Sequence, residues 1–132
     1  MPYVVARGNA LLIPSGTHSD PNRKHLFVVL TDACAAGAHL LVSLSSIKPN
    51  VFHDPACLVA AGEHPFVTVD SFVEYRLART IDAAHIVKCV AGWVYTPREP
   101  VTPALLQRTC DGIEQTRFVP KRIHAYYMTN KP

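Results

Sequence analysis

The sequence predicts a mainly β domain, a small and strongly curved sheet or half-barrel with one helix packed on it towards the C-terminal end. Three observations lead there. Short apolar runs rich in Val, Leu and Phe recur along the chain, and short continuous runs of this kind favour strands over helices. Eleven prolines and six glycines break those runs apart. Only after residue 102 does the apolar spacing turn helical behind a recognisable start signal. Many short strands followed by one helix imply a curved β layer covered by that helix.

Residues 9–13 read as a first buried strand, ended by Pro14 and Gly16. Residues 14–24 hold Gly16, His18, Asp20, Pro21, Asn22 and Arg23, a density of turn formers that means a surface loop. Residues 25–31 form the second strand, and residues 32–38 are a small-residue connection with room for one helical turn. Residues 39–47 form the third strand, which carries Ser43, Ser45 and Ser46 and is stopped by Pro49 and Asn50. A loop and a short strand fill residues 51–61, and a turn covers 62–65. Residues 66–69 alternate with a period of two and read as a strand, with a tight break at Asp70 and Ser71. Residues 72–79 form another strand, in which Phe72, Glu74 and Arg76 face one way and Val73, Tyr75 and Leu77 the other. Asp82 is a candidate cap for a short helical turn over 83–86, and 87–95 read as extended, with Trp93 and Tyr95 packed in the core or at a dimer seam. Pro97 and Pro100 mark a loop. Thr102 then caps a helix over about 102–115 with Pro103 at its first position, and Leu105, Leu106, Thr109, Cys110 and Ile113 give it one apolar face. The domain is expected to span 1–116, with 117–132 a basic tail forming an arm or an extra strand.

Composition narrows the function classes. A length of 132 residues suits one domain, and 48% hydrophobic content supports a core. No apolar run nears the roughly 18 residues of a membrane span. The N-terminus lacks a basic stretch followed by an apolar one, so a cytoplasmic protein is expected. Cys34, Cys57, Cys89 and Cys110 are far apart, with neither a disulfide framework nor a zinc-ribbon spacing. The net charge of +3 permits a nucleic-acid partner without requiring one.

The chemistry gathers around residues 23–46. Basic side chains precede the first apolar run, hydroxyls close the second, and pairing of the two as strands brings both to one rim. Four segments stand in a telling order: Gly8-Asn-Ala-Leu-Leu-Ile, His25-Leu-Phe-Val-Val-Leu-Thr31, Val42-Ser-Leu-Ser-Ser46 and Tyr75-Arg-Leu-Ala-Arg-Thr-Ile-Asp82. In that order and spacing the chain resembles the MazF/PemK-like toxins of type II toxin–antitoxin systems over residues 8–113. The first segment is similar to the family's opening glycine and first strand, and the second resembles its Arg-Pro-x-Val-Val-Leu-Ser strand. The third resembles its Val-Pro-Ile-Thr-Ser, and the fourth the segment ending in Ile-Arg-Thr-Ile-Asp. The resemblance implies an SH3-like barrel of the CcdB/MazF type with a C-terminal helix. It also implies a dimeric, cofactor-free endoribonuclease that cuts single-stranded RNA without metal and is blocked by an antitoxin protein. The family's catalytic arginine falls on His25, and its threonine on Ser45.

Metal-free RNA cleavage needs a base for the 2′-hydroxyl, an acid for the leaving oxygen and donors for the phosphorane charge. His25 can serve as base or acid. Arg23 and Lys24 can hold the phosphate, with Ser45 and Ser46 as hydroxyl donors. Tyr75 and Phe52 can stack bases. A non-catalytic SH3-like module binding nucleic acid or a peptide is the alternative. A further one lies in His53-Asp54-Pro-Ala-Cys57 followed by His64, which offers zinc donors or a thiol nucleophile beside an imidazole. The bland reading of that segment is a packed cysteine beside turn histidines.

Overall fold

The computed structural model describes residues 2–15, 20 and 23–132. Its elements are β1 (Ala10–Pro14), β2 (Lys24–Val29), β3 (Ala38–Ser46), β4 (Leu58–Val59), β5 (Ser71–Asp82), α1 (Ala83–Ala91), β6 (Thr96–Arg98), α2 (Pro103–Gln115) and α3 (Lys121–Asn130). The strands form one antiparallel sheet in the order β4-β5-β3-β2-β1-β6, curled into a half-barrel. The fold is therefore mainly β with a C-terminal helix on the sheet, as the sequence predicts.

Alternation along the strands sorts the apolar side chains to two faces. Leu26, Val28, Leu40, Val42, Val73 and Tyr75 pack with Leu105 and Ile113 of α2 and with Ile123 and Tyr127 of α3. Leu11, Ile13, Phe27, Val29 and Leu41 pack on the other face with Ile86 and Cys89 of α1 and with Tyr95. Burying a side chain of this size stabilises the fold by about 1.5–3 kcal/mol. The curl comes from an irregularity between β3 and β5. From Leu41↔Arg79 to Ser43↔Glu74, β3 advances two residues while β5 advances five. Extra residues on one strand bend and twist it.

Gly8 supports the approach of the N-terminal segment. Its φ of +88° suits glycine, its N–H bonds Val29 O at 2.8 Å, and its carbonyl accepts from Val101 at 3.0 Å. At the other end, the Thr102 hydroxyl accepts from the Leu105 N–H at 3.1 Å, and Pro103 opens α2, as its sequence predicts.

Several expectations are corrected. Residues 66–69 are not a strand. Only Val67 is buried there, and Phe66 and Val69 are exposed on a loop, so the alternation reflects one anchor residue. Residues 87–95 are not extended, because α1 runs on to Ala91 with Ile86 and Cys89 buried three apart. Asp82 stands at its N-cap without a side-chain bond. Tyr95 is buried, whereas Trp93 is 86% exposed at a φ of +62° and does not belong to the core. Around Pro97 a short strand, β6, pairs with β1. Residues 121–130 are helical, neither an arm nor a strand, and bury Ile123 and Tyr127. Residues 32–37 hold a turn closed by Gly37 N–H on Cys34 O at 2.8 Å and no helical turn. Most of the loop expected over 14–24, including Gly16, His18, Pro21 and Asn22, lies outside the described residues. Among the described residues no helix is long and apolar enough to cross a membrane.

Candidate functional site

The face covered by α1 loses its apolar cover at one end of β2, β3 and β5. There the pleat continues with other chemistry. The β2–β3 register pairs Phe27 with Ser43, and carried along both strands it sets His25 opposite Ser45. Ser45 in turn faces Phe72, and Ser43 faces Glu74. His25, Ser45, Phe72 and Glu74 thus share one face of neighbouring strands, where directly opposed and diagonal side chains interact.

These residues floor a hollow of about 490 Å³. Arg23 and Lys48 line it from the strand ends, Arg76 from β5, and Phe52, His53 and Asp54 from the loop after β3. Phe118 lines it from the connection between α2 and α3. A second hollow of about 380 Å³ adjoins it, lined by Lys24, Phe66 and Arg98 among others. Arg23, His25, Ser45 and Ser46 line both.

His25 is half-buried, and its Nδ1 lies 2.7 Å from Ser15 Oγ. That hydroxyl also donates to the Ile13 carbonyl at 3.2 Å. A hydroxyl has one proton, so both contacts hold together when Nδ1–H donates to Ser15, which leaves the lone pair on Nε2. Burial lowers the His25 pKa below its ordinary 6.5, Arg23 lowers it further, and Glu74 opposes the shift. The result is a largely neutral imidazole near pH 7, suited to accept a proton. Glu74 is itself held 3.6 Å from Arg76 Nε.

The opposite wall is fixed by a hydrogen-bond chain. Asp54 is buried and accepts from the Ala56 N–H at 2.9 Å and from the Thr116 hydroxyl at 2.5 Å. Thr116 Oγ1 accepts from the Phe118 N–H at 3.1 Å. The chain ties the loop after β3 to the end of α2 and sets Phe118 against Phe52, ring centroids 5.2 Å apart, edge to face. His53 lies on Phe72 at 5.5 Å.

The candidates from the sequence separate clearly. Arg23, His25, Ser45 and Ser46 converge, and Lys24 reaches only the second hollow. Tyr75 does not line the site. It is fully buried on the opposite face, where its hydroxyl donates to the Thr109 carbonyl at 2.6 Å and burial raises its pKa. The set His53, Asp54, Cys57 and His64 is dispersed. Asp54 has both carboxylate oxygens engaged, and Cys57 is buried in the core under α2, its thiol pKa raised by that burial. His64 is buried too, with Nδ1 accepting from the Phe66 N–H at 3.0 Å and Nε2 donating to Glu99 O at 2.6 Å. Among the described residues no three His, Cys, Asp or Glu side chains group as a metal site.

Sequence reasoning missed Lys48, Phe72, Glu74, Arg76 and Phe118. The signal for three of them was present, because the alternation of β5 sets Phe72, Glu74 and Arg76 on the face opposite Tyr75. Nothing in the sequence marks Phe118, which arrives from the far end of α2. In the comparisons with known proteins, no family model and no curated protein matches the chain.

Proposed function

We propose that the groove binds single-stranded RNA and cleaves it without metal, as the resemblance to MazF/PemK-like toxins implies. The observation that carries this reading is the convergence of Arg23 and His25 at the start of β2 with Ser45 and Ser46 at the end of β3 on one groove that also holds exposed aromatic rings. Cations and hydroxyls suit a phosphate, and aromatic rings suit unpaired bases.

In the reaction, the 2′-oxygen attacks phosphorus and its proton passes to Nε2 of His25. The bond from phosphorus to the 5′-oxygen breaks, and that oxygen takes a proton from His53 or solvent. A 2′,3′-cyclic phosphate and a 5′-hydroxyl end result. Arg23 and the Ser45 hydroxyl donate to the non-bridging oxygens as charge builds on them. A homodimer, a cytoplasmic location and an antitoxin protein covering the groove belong to the same proposal.

The test is incubation of the purified protein with single-stranded RNA in EDTA. Cleavage to cyclic-phosphate ends is expected, falling about 10²- to 10⁴-fold in His25→Ala. RNA left intact with and without divalent metal would overturn the nuclease reading. The second reading is a non-catalytic module binding nucleic acid or a peptide. It is favoured by one observation, the imidazole of His25 where the resembled family carries a guanidinium. Binding of RNA without cleavage would select it.

A further inference from the structure

Two hollows meet at one row of side chains. Arg23, His25, Ser45 and Ser46 line both, so any group held by them has open space on either side. Each hollow also carries exposed aromatic surface. On one side Phe52 and Phe118, 72% and 40% exposed, make an edge-to-face pair. On the other, Phe66 is 38% exposed with the Arg98 guanidinium 5.6 Å from its ring centre.

A ring exposed singly, such as Trp93, says little, whereas exposed rings grouped in a hollow and rimmed by polar groups mark an interaction site. Here they flank cations and hydroxyls. The Phe52–Phe118 pair is also fixed in place, because the Asp54–Thr116–Phe118 hydrogen bonds anchor both chain segments.

We propose that the groove seats one dinucleotide step. The bridging phosphate lies against Arg23 and Ser45, one base stacks on the Phe52–Phe118 pair, and the other stacks on Phe66 beside Arg98. This assignment rests on the nucleic-acid reading above and adds the substrate's footprint: two unstacked bases, one in each hollow. A duplex cannot meet it, because its bases are paired and stacked on each other. Phe52, Phe118 and Phe66 are then specificity-determining residues that take no part in proton transfer.

The test measures binding of 2′-deoxy dinucleoside monophosphates to the intact protein by amide chemical-shift titration. The deoxy probe lacks the nucleophile, so binding is read independently of cleavage. We expect the dinucleotide to bind at least tenfold more tightly than either mononucleotide. Phe52→Ala and Phe66→Ala should each weaken the dinucleotide by roughly tenfold, the scale of one lost base–aromatic stack. Phe66→Ala should leave unchanged a mononucleotide whose shifts map to the Phe52 side. Phe118→Ala should weaken the dinucleotide as Phe52→Ala does, and Phe118→Tyr, which keeps a ring at the same place, should bind like the parent.

A dinucleotide that binds no better than a mononucleotide overturns the two-hollow footprint, as does an acidic peptide that binds where the dinucleotide does not. RNA cleaved by a protein with single-hollow binding overturns this inference and leaves the nuclease reading standing. Two-hollow binding with no RNA cleavage does the reverse.

Discussion

Ser15 Oγ lies 2.7 Å from Nδ1 of His25. The same hydroxyl donates to the Ile13 carbonyl, so a main-chain group of β1 sets the tautomer of a side chain on β2. Removing the hydroxyl frees Nδ1–H to seek another acceptor and the ring to turn. We expect Ser15→Ala to lower kcat by on the order of tenfold to a hundredfold, the usual result of misplacing a reacting group. KM should stay near the parent value, since Ser15 does not line the groove. Steady-state kinetics on an RNA oligonucleotide separate the two parameters. A matched rise in KM with unchanged kcat would assign Ser15 to binding.

The lowered pKa of His25 sets a pH dependence with a definite sign. Burial is the main cause, with Arg23 adding to it and Glu74 opposing it. A general base works in its deprotonated form, so the acid limb of kcat/KM should have its midpoint below the ordinary 6.5. Arg23→Gln should move that midpoint up towards 6.5, and Glu74→Gln should move it further down. Stability follows the same linkage. Between the folded pKa and 6.5 the unfolded chain binds more protons at this site than the folded one. The contribution is therefore neutral above 6.5, turns destabilising as pH falls towards the folded pKa, and stays constant below it. Urea unfolding of His25→Asn should lack that part of the slope between pH 7 and 5.

Strands β1, β2, β3 and β5 were legible because their apolar residues alternate or run together between turn formers, and α2 because Thr102 and Pro103 announce it; β6 was not, because its three residues hold Pro97 and no apolar run. The second half of α1 and the whole of α3 were misread for a common reason. Ile86, Cys89 and Val90 recur at helical spacing, as do Ile123, Tyr126 and Tyr127, yet each set is short and lacks a capping side chain. Trp93 and Val94 beside α1 extend its apolar stretch into a false strand signal, although both are exposed. In the groove, His25 and Ser45 were legible because pairing of adjacent strands is local knowledge. Phe118 was not, because the Asp54–Thr116 bond spans 62 positions of chain. Tyr75 was misplaced against a visible pattern, since its own strand alternates it with Phe72 and Glu74 onto the opposite face.

The buried position of Tyr75 can be tested through Gly112. A Cβ on Gly112 would come 2.1 Å from the Tyr75 hydroxyl and 2.9 Å from its Cζ. Gly112→Ala should therefore destabilise the protein despite alanine's better helix propensity. Tyr75→Phe removes the bond to the Thr109 carbonyl and should cost about 0.5–1.5 kcal/mol. It also removes the nearest clashing atom, so Gly112→Ala should cost less in the Tyr75→Phe background than in the parent. Urea unfolding of the two single variants and the double variant gives that coupling. Additive effects would place the Tyr75 hydroxyl away from α2.

Helix α3 makes residues 117–132 part of the packed structure rather than an appended tail. Ile123 and Tyr127 enter the same core as Leu105 and Ile113 of α2, and the Tyr126 hydroxyl donates to the Ala38 carbonyl at 2.9 Å. Lys131 adds a half-exposed ion pair to Glu114 at 3.3 Å, a contact of small energy. The apolar contacts should dominate. Ile123→Ala is expected to lower the unfolding free energy by about 2–5 kcal/mol, through lost transfer energy and the cavity left behind. Arg122→Ala, one residue away on the exposed side, should change it by less than about 0.5 kcal/mol. Urea unfolding of the two variants against the parent decides the matter, because a dispensable tail would leave Ile123→Ala as stable as Arg122→Ala.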